Sequence, residues 1–333
     1  MDERAWVEAR RALSADRRGW GVAADGLYPE LSRVAGTSLL CRPEWVPGAP
    51  VPLEDVRLEW EAGAGTVAVR DPSDGLPEGY ATYAEAMGAL AQPRVFEDRP
   101  CYRLVRVDGT TLTLGPARYF DGVNVGEAVA HELAAGVPGL PLRTRVGDPL
   151  DFGRRVALPA ITTLTLTRSG SYVLHWRDPE KVAHAGGLRQ VMPVGVFQPL
   201  EDERRDLDLW RTMVREYSEE FLGTSEAYGD GFVQEDWPFH RRLSDARAHG
   251  RVRVFWLGMG VDPLTFALDF LTVAVFDDAL FRETFAGLVE TNDEGRVSTA
   301  AFDGTVPQPM QPAGAAALEL AWRHRRALGV TPG

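Results

Sequence analysis

The sequence predicts an α+β fold, in which a mixed sheet lies between helices and follows a smaller N-terminal α+β extension. Runs of alternating apolar and polar residues indicate strands in both halves of the chain. One long segment, 204–222, repeats its apolar residues at helical spacing. Strands, then this helix, then further strands and a closing helix follow one another, an order typical of a mixed sheet packed between helices.

The length of 333 residues favours two domains. We expect an N-terminal α+β domain over 1–150 and a second domain over 151–333. In the first domain the pattern predicts a helix over 2–18, a proline-rich extended segment over 41–56, a hairpin turn at Asp108-Gly109 and an amphipathic helix over 123–137.

In the second half, Ser169-Gly170 separates two runs rich in β-forming residues, which predicts a hairpin. The segment 204–222 then changes to a helical period. Its apolar stripe is formed by Leu207, Trp210, Val214, Tyr217 and Phe221. Further strands and two helices, one near 278–290 and one at the C-terminus, complete the predicted sheet and its cover.

Composition excludes several classes of protein. A net charge of −12 argues against a protein that binds nucleic acid through its phosphates. Two cysteines, Cys41 and Cys101, are too few for a disulfide framework. The charged N-terminus lacks a secretory signal, and the longest apolar run, "LTFALDFLTVAVF", is interrupted by Asp269 and too short to span a bilayer. We therefore expect a soluble cytoplasmic protein with no membrane partner.

Three carboxylates, Glu216, Glu219 and Glu220, lie within one turn of the predicted helix, on the side away from the apolar stripe. Oxygen ligands of this kind suit Mg²⁺, which binds a few carboxylates and keeps several waters. The alternative is an ordinary solvated helix face, with Arg215 paired to Glu219 four residues on.

The sequence around these glutamates resembles the Nudix box. Residues 215–220, "REYSEE", match its central hexapeptide, and Gly195 followed by "VFQPL" and Glu201 matches its upstream element. The resemblance implies a Nudix-type hydrolase acting on a nucleoside diphosphate derivative or a related phosphoanhydride, a small anionic ligand. It also implies that Glu216, Glu219 and Glu220 hold Mg²⁺ or Mn²⁺.

The same resemblance assigns catalytic roles to Glu220, to Arg215, which would orient the glutamates, and to Glu201, as an outer ligand or base. The sequence departs from the pattern in two places. Thirteen residues rather than seven separate Glu201 from Arg215, so "ERRDLD" (203–208) is predicted to be an insertion that bulges to solvent. Gly223 comes one position late, and Leu222 stands where the pattern has glycine.

Candidate substrate-binding residues lie just before the box. His175 and Arg177 alternate at the end of a predicted strand and would face the same side. His184 and Arg189 flank a glycine pair that would let the backbone approach a ligand, although a plain flexible connection explains it equally well. In a late loop, weaker candidates for a general base are Glu290, Asp293 and Glu294.

Over most of its length the chain also resembles the region that follows the DNA-binding domain in some actinobacterial helix-turn-helix regulators. The similarity lies in 176–199, in 209–223 and in "LELAWRHRR" (318–326). It supports an alternative function, a non-catalytic ligand-sensing or partner-binding domain on a Nudix scaffold. An enzyme that uses the scaffold for another reaction is a third alternative, and the sequence leaves oligomeric state open, a homodimer included.

Overall fold

The computed structural model describes residues 2–72, 74–93, 96–177, 187–224, 231–288, 291 and 295–331. Within these ranges helices and mixed sheets are combined, so the predicted α+β class is confirmed.

The strands fall into one large and one small sheet. They are β1 (Ser32–Arg33), β2 (Leu40–Cys41), β3 (Val51–Pro52), β4 (Arg57–Trp60), β5 (Pro100–Asp108), β6 (Thr111–Arg118), β7 (Pro159–Thr167), β8 (Ser171–Arg177), β9 (Arg189–Val191), β10 (Val194–Val196), β11 (Val252–Val261), β12 (Leu268–Phe276) and β13 (Gly295–Ala301).

The helices vary in length from one turn to four. They are α1 (Glu3–Ala15), α2 (Arg17–Asp25), α3 (Tyr83–Leu90), α4 (Tyr119–Ala134), α5 (Pro141–Val146), α6 (Leu209–Glu216), α7 (Pro238–Ala248), α8 (Asp278–Thr284), α9 (Pro312–Arg323) and α10 (Arg325–Leu328). A π-helical turn, Tyr217–Phe221, continues α6.

The large sheet has the strand order β1-β2-β11-β12-β7-β8-β13. Strands β7 and β12 run parallel at its centre, and the other pairs are antiparallel. Beside this path, β10 pairs with the start of β7, β9 pairs with β8, and β3 pairs with β11. The small sheet has the order β4-β6-β5. The predicted hairpins at Asp108-Gly109 and Ser169-Gly170 are the β5–β6 and β7–β8 connections.

The N-terminal part of the chain contributes to the large sheet. Val261 of β11 pairs with Leu40 of β2, and Phe255 and Trp256 of the same strand pair with β3. The large sheet therefore contains strands from both sides of residue 150, and a domain boundary at that residue stays a prediction.

Helix α6 and helix α9 cover opposite faces of the large sheet. Tyr217, at the end of α6, exchanges a hydrogen bond of 2.9 Å with Thr165 of β7, and its ring packs edge-on against Phe276 of β12. Alternate residues of a strand point to opposite faces, so Ala160 of β7 faces the other way, toward the start of α9. The site described below lies across this sheet.

The predicted stripe of α6 is buried: Trp210 is 6% exposed, and Val214, Tyr217 and Phe221 are fully buried. The helix is shorter than the 204–222 segment that periodicity predicted. It begins at Leu209, because Asp208 accepts the backbone N–H of Arg211 as an N-terminal cap, and it changes to a π turn at Tyr217. Among the described residues, no helix combines the length and the apolar character needed to cross a bilayer.

Candidate functional site

Strand β10 is three residues long and separates two environments. Its register on β7 is Val194 to Thr162, Gly195 to Ile161 and Val196 to Ala160. Because alternate residues face opposite ways, Gly195 points toward α6 while Val194 and Val196 point to the other face of the sheet. The upstream glycine of the predicted motif and the helix that carries its glutamates thus meet at this strand.

Glu216 lies directly against Gly195. A Cβ atom added at residue 195 would overlap the Cδ and both carboxylate oxygens of Glu216. Residues 195 and 216 are distant in sequence, yet the carboxylate occupies the space that any larger residue at 195 would need. Glycine at this position therefore permits the observed placement of Glu216.

Glu220 also contacts β10. Its Oε2 accepts the backbone N–H of Val194 at 3.2 Å. Glu216 closes the last α-helical turn, whereas Glu219 and Glu220 lie in the π turn, and all three are partly exposed. Two of the three predicted metal ligands, Glu216 and Glu220, thus contact the same strand, and the third, Glu219, lies in the π turn beside them.

Arg215 is buried, with 3% of its surface exposed. Its guanidinium donates to Gln234 Oε1 at 3.0 Å, to the backbone carbonyl of Gln198 at 2.9 Å and to Thr212 Oγ1 at 3.1 Å. It fixes the segment after β10 against the helix that carries the glutamates. The alternative pairing of Arg215 with Glu219 stays a prediction.

Glu201 is exposed, in a loop organised by Asp206. One oxygen of the Asp206 carboxylate accepts the backbone N–H groups of Leu200, Glu201 and Asp202, at 2.9, 3.0 and 3.2 Å. The other accepts from Arg211 at 3.2 Å. Burial of Asp206 acts to raise its pKa, but these backbone donors and Arg211 outweigh it, and the pKa lies below its ordinary value.

The prediction that "ERRDLD" bulges to solvent is therefore only partly correct. Residues 203–205 are exposed, but Asp206 is buried at 3% exposure and Asp208 caps α6. Buried carboxylates need hydrogen-bond partners, and the loop backbone supplies them here. The inserted residues form the connection into α6.

The predicted substrate-binding residues His175 and Arg177 lie on one face of β8, while Arg189 pairs with Trp176 between them and faces the other way. His175 is buried in β8, paired in register with Gln190 and Val297, while Arg177 lines a cavity described below. Arg189 donates to the backbone carbonyl of Gln308. His184, like the loop candidates Glu290, Asp293 and Glu294, lies outside the described residues.

Whether these glutamates can bind a metal ion depends on the chemistry of their donor atoms and on how closely the side chains are grouped. Within the part of the chain that the structure describes, no three His, Cys, Asp or Glu side chains are grouped closely enough to hold a metal ion. The donor type, carboxylate oxygen, fits Mg²⁺ or Mn²⁺, and the space left at Gly195 already accommodates one carboxylate.

A cavity of about 290 Å³ lies on the opposite face of the sheet, between β7, β10 and β12 on one side and α4 and α9 on the other. Its walls are mostly apolar, with Val194, Val196 and Ala160 on the sheet side. Gly126 allows α4 to lie close to the backbone of Thr265, since a Cβ atom at residue 126 would lie 2.5 Å from the Thr265 carbonyl oxygen.

Asp269 of β12 lines this cavity, and the sequence analysis did not select it. Thr162 Oγ1 donates to its Oδ1 at 2.8 Å. Burial raises the pKa of Asp269 to about 7, against the opposing effect of the Thr162 hydrogen bond, and the nearby charge of Asp262 raises it further. The available signal was one acid inside an otherwise apolar strand, which had been interpreted only as evidence against a membrane span.

Comparisons with known proteins give little support for a relationship. No family model and no curated protein sequence matches the chain. Among solved structures, the chain is similar to a Nudix hydrolase from M. smegmatis, RenU, at 11% identity over 52% of this chain and 84% of that one, with a TM-score of 0.26. A TM-score this low establishes neither a shared fold nor a shared activity.

Proposed function

We propose that the protein is a metal-dependent hydrolase of a phosphoanhydride, with a nucleoside diphosphate derivative as the substrate class. The observation that carries the proposal is the contact between Glu216 and Gly195. It joins the two parts of the motif, which the sequence separates by an unusually long insertion. The contact of Glu220 with the Val194 N–H supports the same arrangement.

Glu216, Glu219 and Glu220 would hold the cation. As they stand, the side chains of the described residues do not form a three-ligand group, so the proposal requires these carboxylates to converge when the ion binds. All three are partly exposed, and glutamate has enough rotatable bonds to make the adjustment. The bound ion would neutralise charge on the phosphate oxygens and lower the pKa of a coordinated water.

Other residues of the chain position these groups. Arg215 ties the helix to the segment after β10 through Gln198, which fixes the distance between Glu216 and Gly195. Asp206 holds the backbone of Glu201 and thereby sets where that exposed carboxylate can reach. In this proposal Arg215 acts as a positioning residue.

The test is release of phosphate or nucleoside monophosphate from a panel of nucleoside diphosphate derivatives, with and without Mg²⁺. We expect Mg²⁺-dependent turnover that falls at least about a hundredfold in Glu219→Gln and Glu220→Gln without a change in melting temperature. Glu319→Gln on α9, far from the motif in sequence, is the matched control and should retain activity. The proposal would be contradicted if no compound of the panel were hydrolysed, or if the wild type and the three variants turned over equally fast.

A second candidate is a non-catalytic ligand-sensing domain, favoured by the mostly apolar cavity around Asp269. A mostly apolar pocket with a perturbed carboxyl group is a general signature of ligand binding. It predicts no turnover on any nucleotide, while a cavity ligand raises the melting temperature by mass action. The nucleotide panel and a thermal-shift measurement on one preparation separate the two functions.

A further inference from the structure

The cavity around Asp269 places an acid in a mostly apolar wall without a cationic partner among the described residues. Asp269 is hydrogen bonded only to Thr162, and no cationic side chain among the described residues pairs with it. An ionised carboxylate in an apolar wall is costly unless it is paired, so the missing partner is a cation or another strong donor.

Arg155 lines the same cavity and is 2% exposed. Its Nε donates to the Pro149 carbonyl at 3.0 Å, its Nη1 donates to the Val156 carbonyl at 3.2 Å, and the guanidinium lies over the Phe266 ring, 5.3 Å from its centroid. Its Nη2 is buried and has no hydrogen-bond partner. Because this Nη2 has almost no accessible surface, a ligand in the cavity does not reach it, and Arg155 contributes to the wall through its contact with Phe266.

The other two acids in the wall have more partners. Glu127 forms ion pairs with Arg10 and Arg17, and Asp262 accepts the backbone N–H groups of Leu264 and Thr265. Asp269, with one hydrogen-bond donor and no ion pair among the described residues, is therefore the acid of this wall that a ligand can pair with.

We propose that this cavity binds a small, largely apolar amine whose ammonium group pairs with Asp269. The apolar body lies against Val194, Val196 and Ala160. The site is separate from the glutamates, which lie on the other face of β10, and its volume suits a molecule smaller than a nucleoside diphosphate.

The test uses 2-phenylethylamine as the probe, with uncharged 2-phenylethanol for comparison, each followed by calorimetry up to millimolar concentration. 2-Phenylethylamine should bind at least about tenfold more tightly than 2-phenylethanol, since the alcohol cannot form the charged hydrogen bond to Asp269. Asp269→Asn should weaken 2-phenylethylamine at least about tenfold and should change the affinity for 2-phenylethanol much less.

The pH dependence adds an independent readout. The other ionisable groups facing the cavity are Glu127, Asp262, Tyr119, Arg155 and Arg177. Affinity for 2-phenylethylamine should rise from pH 6 to pH 8 as Asp269 ionises, and it should be flat in Asp269→Asn. Asp245→Asn, which changes an exposed acid on α7, is the matched control and should bind like the wild type. Failure of 2-phenylethylamine to bind, or unchanged affinity in Asp269→Asn, would overturn the proposal, whatever the outcome of the nucleotide panel.

Discussion

The carboxylate of Glu216 fills the space beside Gly195 that a side chain would otherwise take. The two residues belong to the two halves of the motif, which a long loop separates in sequence. Their contact means that the loop insertion does not displace the helix from β10. Function at this site can therefore be tested at the glycine as well as at the acids.

Gly195→Ala should displace the Glu216 carboxylate and weaken Mn²⁺ binding by about tenfold to a hundredfold, the usual range for residues that orient a metal ligand. The added methyl overlaps a side-chain end, so the helix itself need not move. Calorimetry with Mn²⁺ measures the effect. Gly21→Ala, where an added Cβ meets nothing within 4 Å, is the control and should bind as the wild type does. Equal affinity in both variants would show that Glu216 does not ligate the ion.

Asp269 should make stability depend on pH in the direction opposite to most carboxyls. Its pKa is about 7 in the folded protein against 3.8 as the ordinary value, so the folded state keeps a proton that the unfolded state has lost. The free energy of unfolding should therefore fall as pH rises from 4 to 7 and stay constant above that. The contribution of this residue to the fall is on the order of 4 kcal/mol.

Urea denaturation of wild type and Asp269→Asn at pH 4, 5.5, 7 and 8.5 isolates this contribution. The asparagine variant should be the more stable protein above pH 7 and should lack the decline between pH 4 and 7. Parallel curves for the two proteins would mean that Asp269 titrates normally.

Asp206 should contribute stability that disappears in acid. Asp206→Ala leaves three backbone N–H groups and the Nη2 of Arg211 without their acceptor, and we expect a cost of about 3 kcal/mol at neutral pH. Because the folded-state pKa is depressed, this contribution is present above the ordinary value of 3.8 and is lost as pH falls through the lower folded value.

The matched control for Asp206 is Glu203→Ala in the same loop. The Glu203 side chain is exposed, and the residue serves the fold through its carbonyl, which accepts the Tyr102 hydroxyl at 2.8 Å. Denaturation midpoints of the two variants at pH 7 should differ clearly. Similar midpoints would indicate that the loop is held without Asp206.

Trp210→Ala should destabilise the protein by about 3–5 kcal/mol, as for a large core residue. The indole is 6% exposed, donates to Ser244 Oγ at 2.9 Å and packs under Arg247, so the substitution leaves a cavity and removes this hydrogen bond. Urea denaturation gives the value, with Val22→Ala as an exposed control expected to change stability by less than about 0.5 kcal/mol. A loss below about 1 kcal/mol for Trp210→Ala would contradict this packing.

Local features of the fold could be predicted from the sequence because they leave periodic signals. The spacing of Trp210, Val214 and Phe221 predicted the buried face of α6, and turn residues predicted the hairpins. The π turn could not be predicted, because a change from i+4 to i+5 hydrogen bonding leaves the apolar spacing almost unaltered. The pairing of β2 and β3 with β11 was also missed, since pairing between distant strands leaves no period in either one.

The candidate site was predictable only where residues form a contiguous motif. Glu216 and Glu220 were found through their spacing, and their contacts with β10 agree with it. The roles of Asp206 and Arg155 depend on what surrounds them after folding, since an aspartate in a polar loop and an arginine beside another arginine look like ordinary surface residues. Asp269 differs, because an acid inside an apolar strand carries a desolvation cost that the sequence itself displays.

Strand β10 has a consequence for any experiment that perturbs one side of it. Val194 and Val196 form part of the cavity wall, and Gly195, between them, supports the Glu216 carboxylate on the other face. A shift of this backbone by a fraction of an ångström alters both environments at once. Thermodynamic linkage then requires reciprocity: if an amine in the cavity changes the affinity of the glutamates for a cation by some factor, the cation changes the affinity for the amine by the same factor.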